Sequence, residues 1–329
     1  MRLSRIATVL AALSAAACSA LVDFQGLVGS AASSDAGEIA DGAVVDAGGT
    51  ADAAAEASTV PACNPAAPFG AVAFLPPPVN LGSSNQYSGV LSADALTIYF
   101  CSDRGTAKAG GKTDLYVSHR ASSASPWGPA GALDEIDTGA NECSPFITSD
   151  ELTLYFASDR AGGPGGSDLY VATRASVGDK FSAPALLPVS GSKDDDGPWL
   201  SADSKTLYFQ AGSASSETYQ LYQAPRSAKS FAEASQVPGL SSSSDDEGLV
   251  VTADGLTGFF GSTRGGASMS RLYVTHRTSV SDPFGMPALL SELAMQRDYA
   301  AWVSADGCTI LVETYKNGPA QLYLATRGK

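Results

Sequence analysis

The chain of 329 residues is poor in basic residues, in histidine and in long apolar runs. It has 20 Lys and Arg against 34 Asp and Glu, two histidines and a formal net charge of −14. Nucleic acids and anionic membrane surfaces need clustered Lys and Arg, so this balance excludes both as partners. Two histidines leave little room for a His-rich metal site, and no run of 18 apolar residues could span a bilayer as a permanent helix.

The first 17 residues have the layout of a secretory signal peptide. Arg2 and Arg5 supply positive charge at its start, and residues 6–17 form an apolar run that is too short for a stable membrane-spanning helix. We therefore predict that residues 1–17 direct export of the chain and are then removed.

The signal ends in Ala15-Ala16-Ala17-Cys18, which resembles the lipobox of bacterial lipoproteins, although those usually carry Leu at the position of Ala15. The resemblance implies cleavage before Cys18 and acylation of its thiol, which would anchor the chain in the bacterial cell envelope. Ser19, in place of Asp after the cysteine, favours the outer membrane. The alternative is ordinary cleavage near Ala17, which would leave Cys18 as a free thiol.

Residues 18–67 are predicted to be the lipidated cysteine followed by a disordered tether. The stretch is rich in Ala, Gly, Ser and Asp, and between residues 19 and 67 it has seven acidic residues and no Lys or Arg. Such a composition buries too little apolar surface to offset the conformational entropy of folding. The folded part of the chain is therefore expected over residues 68–329.

Residues 68–329 contain five copies of one unit. Each copy has an aspartate followed by a short apolar run and, further on, a Leu-Tyr pair that leads to an arginine. The aspartates are Asp94, Asp150, Asp203, Asp254 and Asp306, and the arginines are Arg120, Arg174, Arg226, Arg277 and Arg327. A period of 51 to 56 residues indicates one supersecondary unit repeated in tandem.

Each unit has the pattern of four short strands with no helix between them, which is typical of a β-propeller. The aspartates lie where tight turns need them, so we assign them a structural role. The fifth unit ends after three strands, and Phe69-Gly70 before the first unit matches Phe284-Gly285, which opens a fourth strand. We predict an all-β, five-bladed propeller in which residues 69–75 complete the last blade and remove an exposed sheet edge.

The repeats resemble a known family. Residues 156–174 (FASDRAGGPGGSDLYVATR), with the related segments 101–120 and 261–277, are similar to the WD40-like propeller repeats of TolB-type and OmpA-linked periplasmic proteins. The third repeat departs from the pattern, with Gln210-Ala211-Gly212 where Ser-Asp-Arg stands elsewhere. The resemblance implies a recognition scaffold rather than an enzyme, and it leaves the ligand open.

Propeller geometry assigns the loops to two ends of the molecule. Loops before the first strand and after the second strand of each unit share one end, the acidic face, and the aspartate turns share the other, the turn face. The acidic face is predicted to collect the candidate partner-binding residues. They are Glu142, Asp194, Asp195, Asp196, Asp245, Asp246, Glu247 and Asp298 near the axis, with Asp103, Arg104, Asp159, Arg160 and Arg264 from the glycine-rich loops.

Two interpretations of the acidic face remain open. The acids can be solvated loop residues that keep the protein soluble. Alternatively, converging loops focus a negative field that would attract a cation or a basic partner, and calcium suits such oxygen ligands, although no loop has EF-hand spacing. We predict no other cofactor and no metal ligands.

Four cysteines remain once Cys18 is assigned to the lipid, and exported proteins tend to pair theirs. Cys101 and Cys143 lie on the same face of adjacent blades, whereas Cys308 lies in the turn of the blade that the strand after Cys63 completes. We therefore predict the pairs Cys63–Cys308 and Cys101–Cys143; the alternative is four free thiols.

The functional prediction is a lipid-anchored, non-catalytic scaffold that binds an envelope protein or another envelope ligand. The alternative is a glycosidase, because five-bladed propellers house such enzymes and hydrolysis needs two or three carboxylates at the axis. Glu142, Asp196, Glu247 and Asp298 could supply them. Against the enzyme, the sequence shows no nucleophile motif and no aromatic sugar platform in the same loops.

Overall fold

A computed structural model of the protein describes residues 63–105, 112–213, 218–227, 230–293, 298–315 and 318–328. The predicted signal peptide, the lipidation of Cys18 and most of the predicted tether lie outside these described residues. No helix among them has the length and apolar character needed to cross a membrane.

The described residues form twenty strands in five four-stranded antiparallel sheets, which we number as blades in chain order. Blade 1 contains β2 (Gln86–Leu91), β3 (Thr97–Ser102), β4 (Asp114–His119) and β5 (Gly131–Ala132), and blade 2 contains β6 (Glu142–Ile147), β7 (Thr153–Ser158), β8 (Asp168–Thr173) and β9 (Ala185–Leu186). Blade 3 contains β10 (Asp194–Leu200), β11 (Thr206–Ser213), β12 (Thr218–Pro225) and β13 (Ser235–Gln236), and blade 4 contains β14 (Asp246–Val251), β15 (Thr257–Ser262), β16 (Arg271–His276) and β17 (Ala288–Leu289). Blade 5 contains β18 (Asp298–Val303), β19 (Thr309–Thr314), β20 (Gln321–Thr326) and β1 (Ala73–Phe74).

The predicted all-β, five-bladed propeller is confirmed, and so is its closure. The strand order of the last sheet is β1-β20-β19-β18, so an N-terminal strand completes the blade that the C-terminus begins. Phe69 forms an isolated bridge with Arg327, which extends the same pairing towards the turn face. The first strands of adjacent blades contact each other around the ring, so β2, β6, β10, β14 and β18 line the central channel.

The turn aspartates have the structural role that the sequence predicts. In blade 1, Oδ1 of Asp94 accepts a hydrogen bond from the Ser92 hydroxyl at 2.6 Å and another from the Leu96 N–H at 2.9 Å. Ala95 between them has a φ of 56°. The same contacts recur at Asp150, Asp203, Asp254 and Asp306.

Four of the five repeated arginines contact the preceding blade in the described structure. The Arg174 guanidinium lies 4.5 Å from the ring centroid of Phe181 in its own blade and donates to the Tyr99 hydroxyl of the preceding blade at 2.9 Å. Arg277 repeats this arrangement with Phe284 at 4.4 Å and Tyr208 at 3.2 Å. Cation–π contacts and hydrogen bonds of this kind fix the rotation between blades.

Both predicted disulfides are present. Cys63–Cys308 joins the residue before the closing strand to the turn of blade 5, with the two Cα atoms 6.1 Å apart. Cys101–Cys143 joins β3 to the innermost strand of blade 2, with a Cα separation of 5.0 Å. One bridge therefore lies at each end of the propeller.

Candidate active site in the axial channel

A bulge in each innermost strand sets which side chains face the axis. In blades 1 to 4 the pairing with the second strand shifts directly after Tyr87, Cys143, Asp196 and Glu247, and in blade 5 it shifts after Ala300. The next residues in blades 1 to 4 have positive φ angles of 46°, 51°, 60° and 64°, and the last two of them are Gly197 and Gly248. A bulge bends the strand and turns a side chain away from the regular pleat.

The bulged strands direct one side chain of every blade into a common pocket at the acidic face. The five residues, which we call the axial ring, are Tyr87, Cys143, Asp196, Glu247 and Tyr299, and all line a cavity of about 370 Å³. Trp199 and Val250 line its inner part, and Glu313 contributes from β19. The volume falls in the range of ligand-binding pockets, roughly 300–1,000 Å³.

Glu247 is a carboxyl of the axial pocket whose pKa lies well above its ordinary value. Burial, a hydrogen bond with Asp245 and the negative charges of Asp196 and Glu313 raise the pKa of Glu247 to about 9. Each of these effects disfavours the anion. Glu247 is therefore protonated at neutral pH and can donate a proton.

Asp196 lies next to Glu247 in the axial ring. Burial raises the pKa of Asp196, and this effect outweighs hydrogen bonds from the Ser144 hydroxyl and the Gly197 N–H. The Gly197 N–H donates to Oδ1 of Asp196 at 2.6 Å. Asp196 and Glu247 were both predicted as candidates, and the structure places both in the pocket.

Glu313 is a member of the pocket that the sequence prediction missed. It faces Tyr299 across the β18–β19 pair, and its Oε2 accepts a hydrogen bond from the Ser88 N–H of blade 1 at 2.9 Å. A backbone N–H donor stabilises an anionic carboxylate. The repeats do contain a signal, because the equivalent residues Cys101, Ala157, Gln210 and Gly261 are all uncharged.

Tyrosines form one wall of the pocket. The rings of Tyr87 and Tyr315 lie 6.4 Å apart at an interplanar angle of 51°, and Tyr299 lines the same cavity. The sequence shows no aromatic platform in the loops that carry the acids, and these three tyrosines come instead from β2, β18 and the residue after β19. Tyr87 and Tyr299 belong to axial positions that are Cys, Asp or Glu in other blades, so the platform becomes visible only when the blades are arranged around the axis.

Glu142 and Asp246 lie beside the axial ring but do not line the pocket. Both are fully buried. Glu142 accepts hydrogen bonds from Thr138, Ser158 and Arg160, and Asp246 accepts them from Ser242, Ser262 and Arg264. The two arginines also stack on aromatic rings, so these pairs fasten the glycine-rich loops to the blades.

The remaining candidates of the acidic face have local partners. Asp103 and Asp159 accept hydrogen bonds from Asn85 and Asn141, and Arg104 donates to the carbonyls of Pro78 and Val79. Asp194 accepts from two loop N–H groups, as Asp195 does from Gly191 and Asp245 from Tyr219. Asp298 is buried at the start of β18. None of these residues lines the described part of the axial pocket.

One blade junction carries three buried carboxyls. Oxygen atoms of Asp114, Asp137 and Glu142 lie within 4.8 Å of one another, and burial, followed by lesser effects of nearby carboxylates, raises the pKa of Asp137 to about 8. The Leu115 N–H donates to Asp137 at 3.1 Å.

The equivalent positions at the junction of blades 5 and 1 are amides. They are Gln321, Asn80 and Gln86, and the Leu322 N–H donates to Asn80 at 3.0 Å as Leu115 does to Asp137. Equivalent positions at two blade junctions of the same molecule therefore carry carboxyls in one case and amides in the other.

No protein-family model and no curated protein matches the chain. Solved structures show the same fold. The catalytic domain of a GH62 α-L-arabinofuranosidase from Coprinopsis cinerea is 13% identical, with a TM-score of 0.54, and the match covers 80% of this chain and 98% of that one. An endo-arabinase from Bacteroides thetaiotaomicron is 11% identical, with a TM-score of 0.51 and coverage of 78% and 98%.

The prediction that the chain is not an enzyme is contradicted by this comparison. That prediction relied on the propeller being a recognition scaffold, but both of these solved structures of the same fold are glycoside hydrolases. A TolB-type protein from Agrobacterium tumefaciens also matches, at 14% identity and a TM-score of 0.46 over 74% of this chain and 76% of that one. At these identities the likeness extends to the fold alone.

Proposed function

We propose that the protein is a glycoside hydrolase whose active site is the axial pocket. The observation that carries the proposal is a protonated carboxyl, Glu247, beside further carboxyls in a cavity with a tyrosine wall. Glycosidic bond cleavage needs a carboxylic acid to protonate the leaving oxygen and an anionic carboxylate on the other side of the sugar. Aromatic faces pack well on the CH groups of a sugar ring.

We assign Glu247 as the general acid and Glu313 as the anionic carboxylate. Glu247 would transfer its proton to the glycosidic oxygen as the bond to the anomeric carbon breaks. Glu313, held by the Ser88 N–H, would deprotonate the attacking water or attack the anomeric carbon itself. The negative charge of Asp196 contributes to keeping the proton on Glu247 before the reaction.

The pocket has an inner wall, which favours the end or a branch of a sugar chain as the substrate. Trp199 lines the axial pocket and also a second cavity at the turn face, so this residue lies between the two. The enzymes with the same fold are named for arabinofuranosyl and arabinan substrates, which makes these sugars the first to test.

The test is hydrolysis of aryl glycosides and polysaccharides by the full chain. The panel contains 4-nitrophenyl furanosides and pyranosides of pentoses and hexoses, including the α-L-arabinofuranoside, together with arabinan. We expect Glu247→Gln and Glu313→Gln each to lower kcat/KM by roughly 10²–10⁴-fold, as loss of acid–base catalysis does. Glu292→Gln, an exposed residue of the turn Ser291–Leu293, is the control. No sugar release from any substrate would refute the proposal.

We further propose that the enzyme is exported, anchored through Cys18, and acts on an envelope glycan or another envelope ligand. The signal-like residues 1–17 support this location, as do two disulfides, which persist in oxidising compartments. Cys18→Ser is expected to move the protein from the membrane to the soluble fraction of lysed cells. Unchanged membrane association in this variant would contradict the lipid anchor. Calcium binding at the acidic face stays a prediction, which isothermal titration of the full chain would test.

A further inference from the structure

The turn face contains a second cavity, of about 530 Å³, which we call the turn-face bowl. Its floor consists of Phe146, Trp199 and Trp302, and Phe146 packs edge-on against Trp199 with ring centroids 5.0 Å apart. Phe146 and Trp302 are only half-buried in the described structure. Large apolar side chains at an open concave surface are a feature of binding sites.

The chain enters the propeller at the rim of this bowl. Ser304 and Ala305, in the turn of blade 5, line the bowl, and Cys308 of the same turn forms the disulfide with Cys63. The Asn64 N–H donates to the Gly328 carbonyl at 3.2 Å, which holds the entering chain at this end. Cys63, the first described residue, therefore lies at the turn face.

Residues 18–62, which follow the predicted signal peptide, contain one short segment of suitable chemistry. Residues 21–28 (LVDFQGLV) include Phe24, the only aromatic residue before Cys63, and four of the bulky aliphatic residues that follow Cys18. Residues 29–62 contain Ile39 and three valines as their only bulky apolar side chains.

We propose that residues 21–28 of this chain dock into the turn-face bowl, with Phe24 on its aromatic floor. The bowl is lined by Arg120 and Arg226 and also by Asp94 and Asp150, so its charges balance and the proposed contact rests on the apolar floor.

The connection between the segment and the bowl favours this occupant over a separate molecule. A flexible coil of 34 residues, which is the length of the stretch from 29 to 62, would have a root-mean-square reach of about 30 Å, and this is ample to return from the rim to the axis. Its tethering gives an effective concentration on the order of millimolar, so even a weak contact is populated. Docking would also hold the acylated Cys18 close to the turn face and leave the acidic face, with its axial pocket, pointing away from the membrane.

Disulfide trapping in the full chain tests the proposal. We expect the pair Phe24→Cys with Ala253→Cys, an exposed bowl residue, to form an intramolecular bond at least 10-fold faster than two matched controls. The first control is Val45→Cys with Ala253→Cys, which moves the cysteine outside the segment. The second is Phe24→Cys with Ser281→Cys, which moves it to an exposed outer turn. Equal rates for the three pairs would overturn the proposal, and a bond between two molecules would assign the bowl to a second copy of the chain.

A variant with unchanged cysteines gives a second readout. Phe24→Asp is expected to raise the binding of an apolar fluorescent dye several-fold by vacating the bowl, whereas Val45→Asp is expected to leave it unchanged. Equal dye binding by the two variants would count against docking. Neither readout depends on glycosidase activity, so the two proposals can fail separately.

Discussion

The two ends of the channel are formed by the same five strands, yet they have opposite chemistry. The axial ring at the acidic face includes Asp196 and Glu247, whose pKa values are raised by burial. About three residues further along those strands, Trp199 and Val250 lie in the apolar core. One strand therefore carries both a site that disfavours its own charge and the packing that stabilises the fold, separated by a single bulge.

The two ends therefore differ in what they contribute to the stability of the fold. An uncompensated charge in a buried site destabilises the folded state, whereas burial of aromatic side chains stabilises it. Substitutions at the apolar end should therefore have the largest effect on the free energy of unfolding. Substitutions at the acidic end should mainly change the pKa values of the pocket carboxyls.

The largest effect is expected from Trp199→Ala, which removes an aromatic side chain that lies between the two cavities. Trp199 is 8% exposed, and its Nε1 donates to the Val251 carbonyl at 3.2 Å. Truncating a buried Trp costs about 3–5 kcal/mol, which urea unfolding followed by circular dichroism would measure. Trp199→Phe keeps an aromatic ring at this position and should lose much less. An unchanged urea midpoint for Trp199→Ala would show that this ring is not part of the core.

The disulfides at the two ends should differ in their contribution to stability. Cys63–Cys308 closes a sequence separation of 245 residues and Cys101–Cys143 one of 42. In the chain-entropy model the longer loop stabilises more, within a range of about 2–5 kcal/mol. We expect the double variant Cys63→Ser, Cys308→Ser to unfold at a lower temperature than Cys101→Ala, Cys143→Ala. The reverse order in calorimetry would contradict this account of the ring closure.

Within the axial pocket, Asp196→Asn should lower the pKa of Glu247. The Asp196 carboxylate is one of the negative charges that raise this pKa to about 9, and asparagine keeps the shape without the charge. We therefore expect the pKa of Glu247 to fall in this variant. Titration of carboxyl-labelled glutamate by ¹³C NMR would measure it. Asp203→Asn, at the turn face, should leave the Glu247 titration unchanged; a shift of equal size in both variants would exclude a local effect.

The smallest effect concerns the charged blade junction. Because the pKa of Asp137 is raised to about 8 in the folded state, the native protein binds its proton more tightly than the unfolded chain. The stability contributed by this proton is therefore present at acidic pH and is lost as pH rises from about 4 towards 8.

Asp137→Asn reproduces Asn80 of the amide junction and should remove this dependence. We expect a gain on the order of 1 kcal/mol at pH 8 and a smaller one at pH 5, measured by urea unfolding. Asp179→Asn, at an exposed loop, is the matched control. A variant that is less stable than the wild type at pH 8 would show that the charged form of Asp137 is favoured.

The fold was predictable because its determinants are local and occur five times. The turn at Asp94 depends on contacts within five residues, and the same contacts recur in every blade. When the five repeats are aligned, the four regular copies define the strand pattern even though the third copy departs from it. The closing strand and both disulfides followed from the same alignment, since each cysteine occupies a known place in its repeat.

The site was predictable only in part. Asp196 and Glu247 could be recognised as acids near the axis, but the sequence does not separate them from Asp195 and Asp246, their immediate neighbours. Which acid enters the pocket depends on the pleat and the bulge of the strand. These direct Glu247 into the pocket and the preceding Asp246 into a buried hydrogen-bond network. A shift of one residue in register would exchange these roles.

The amino-acid sequence by itself determined the number of blades, the order of strands, the ring closure and the cysteine pairing, because each follows from short-range patterns placed on a repeat. The tertiary structure alone decided which carboxyls meet at the axis. Asp196, Glu247 and Glu313 come from three blades and two strand positions, and the charges of Asp196 and Glu313 raise the pKa of Glu247 only because the closed ring brings the three carboxyls into one buried pocket.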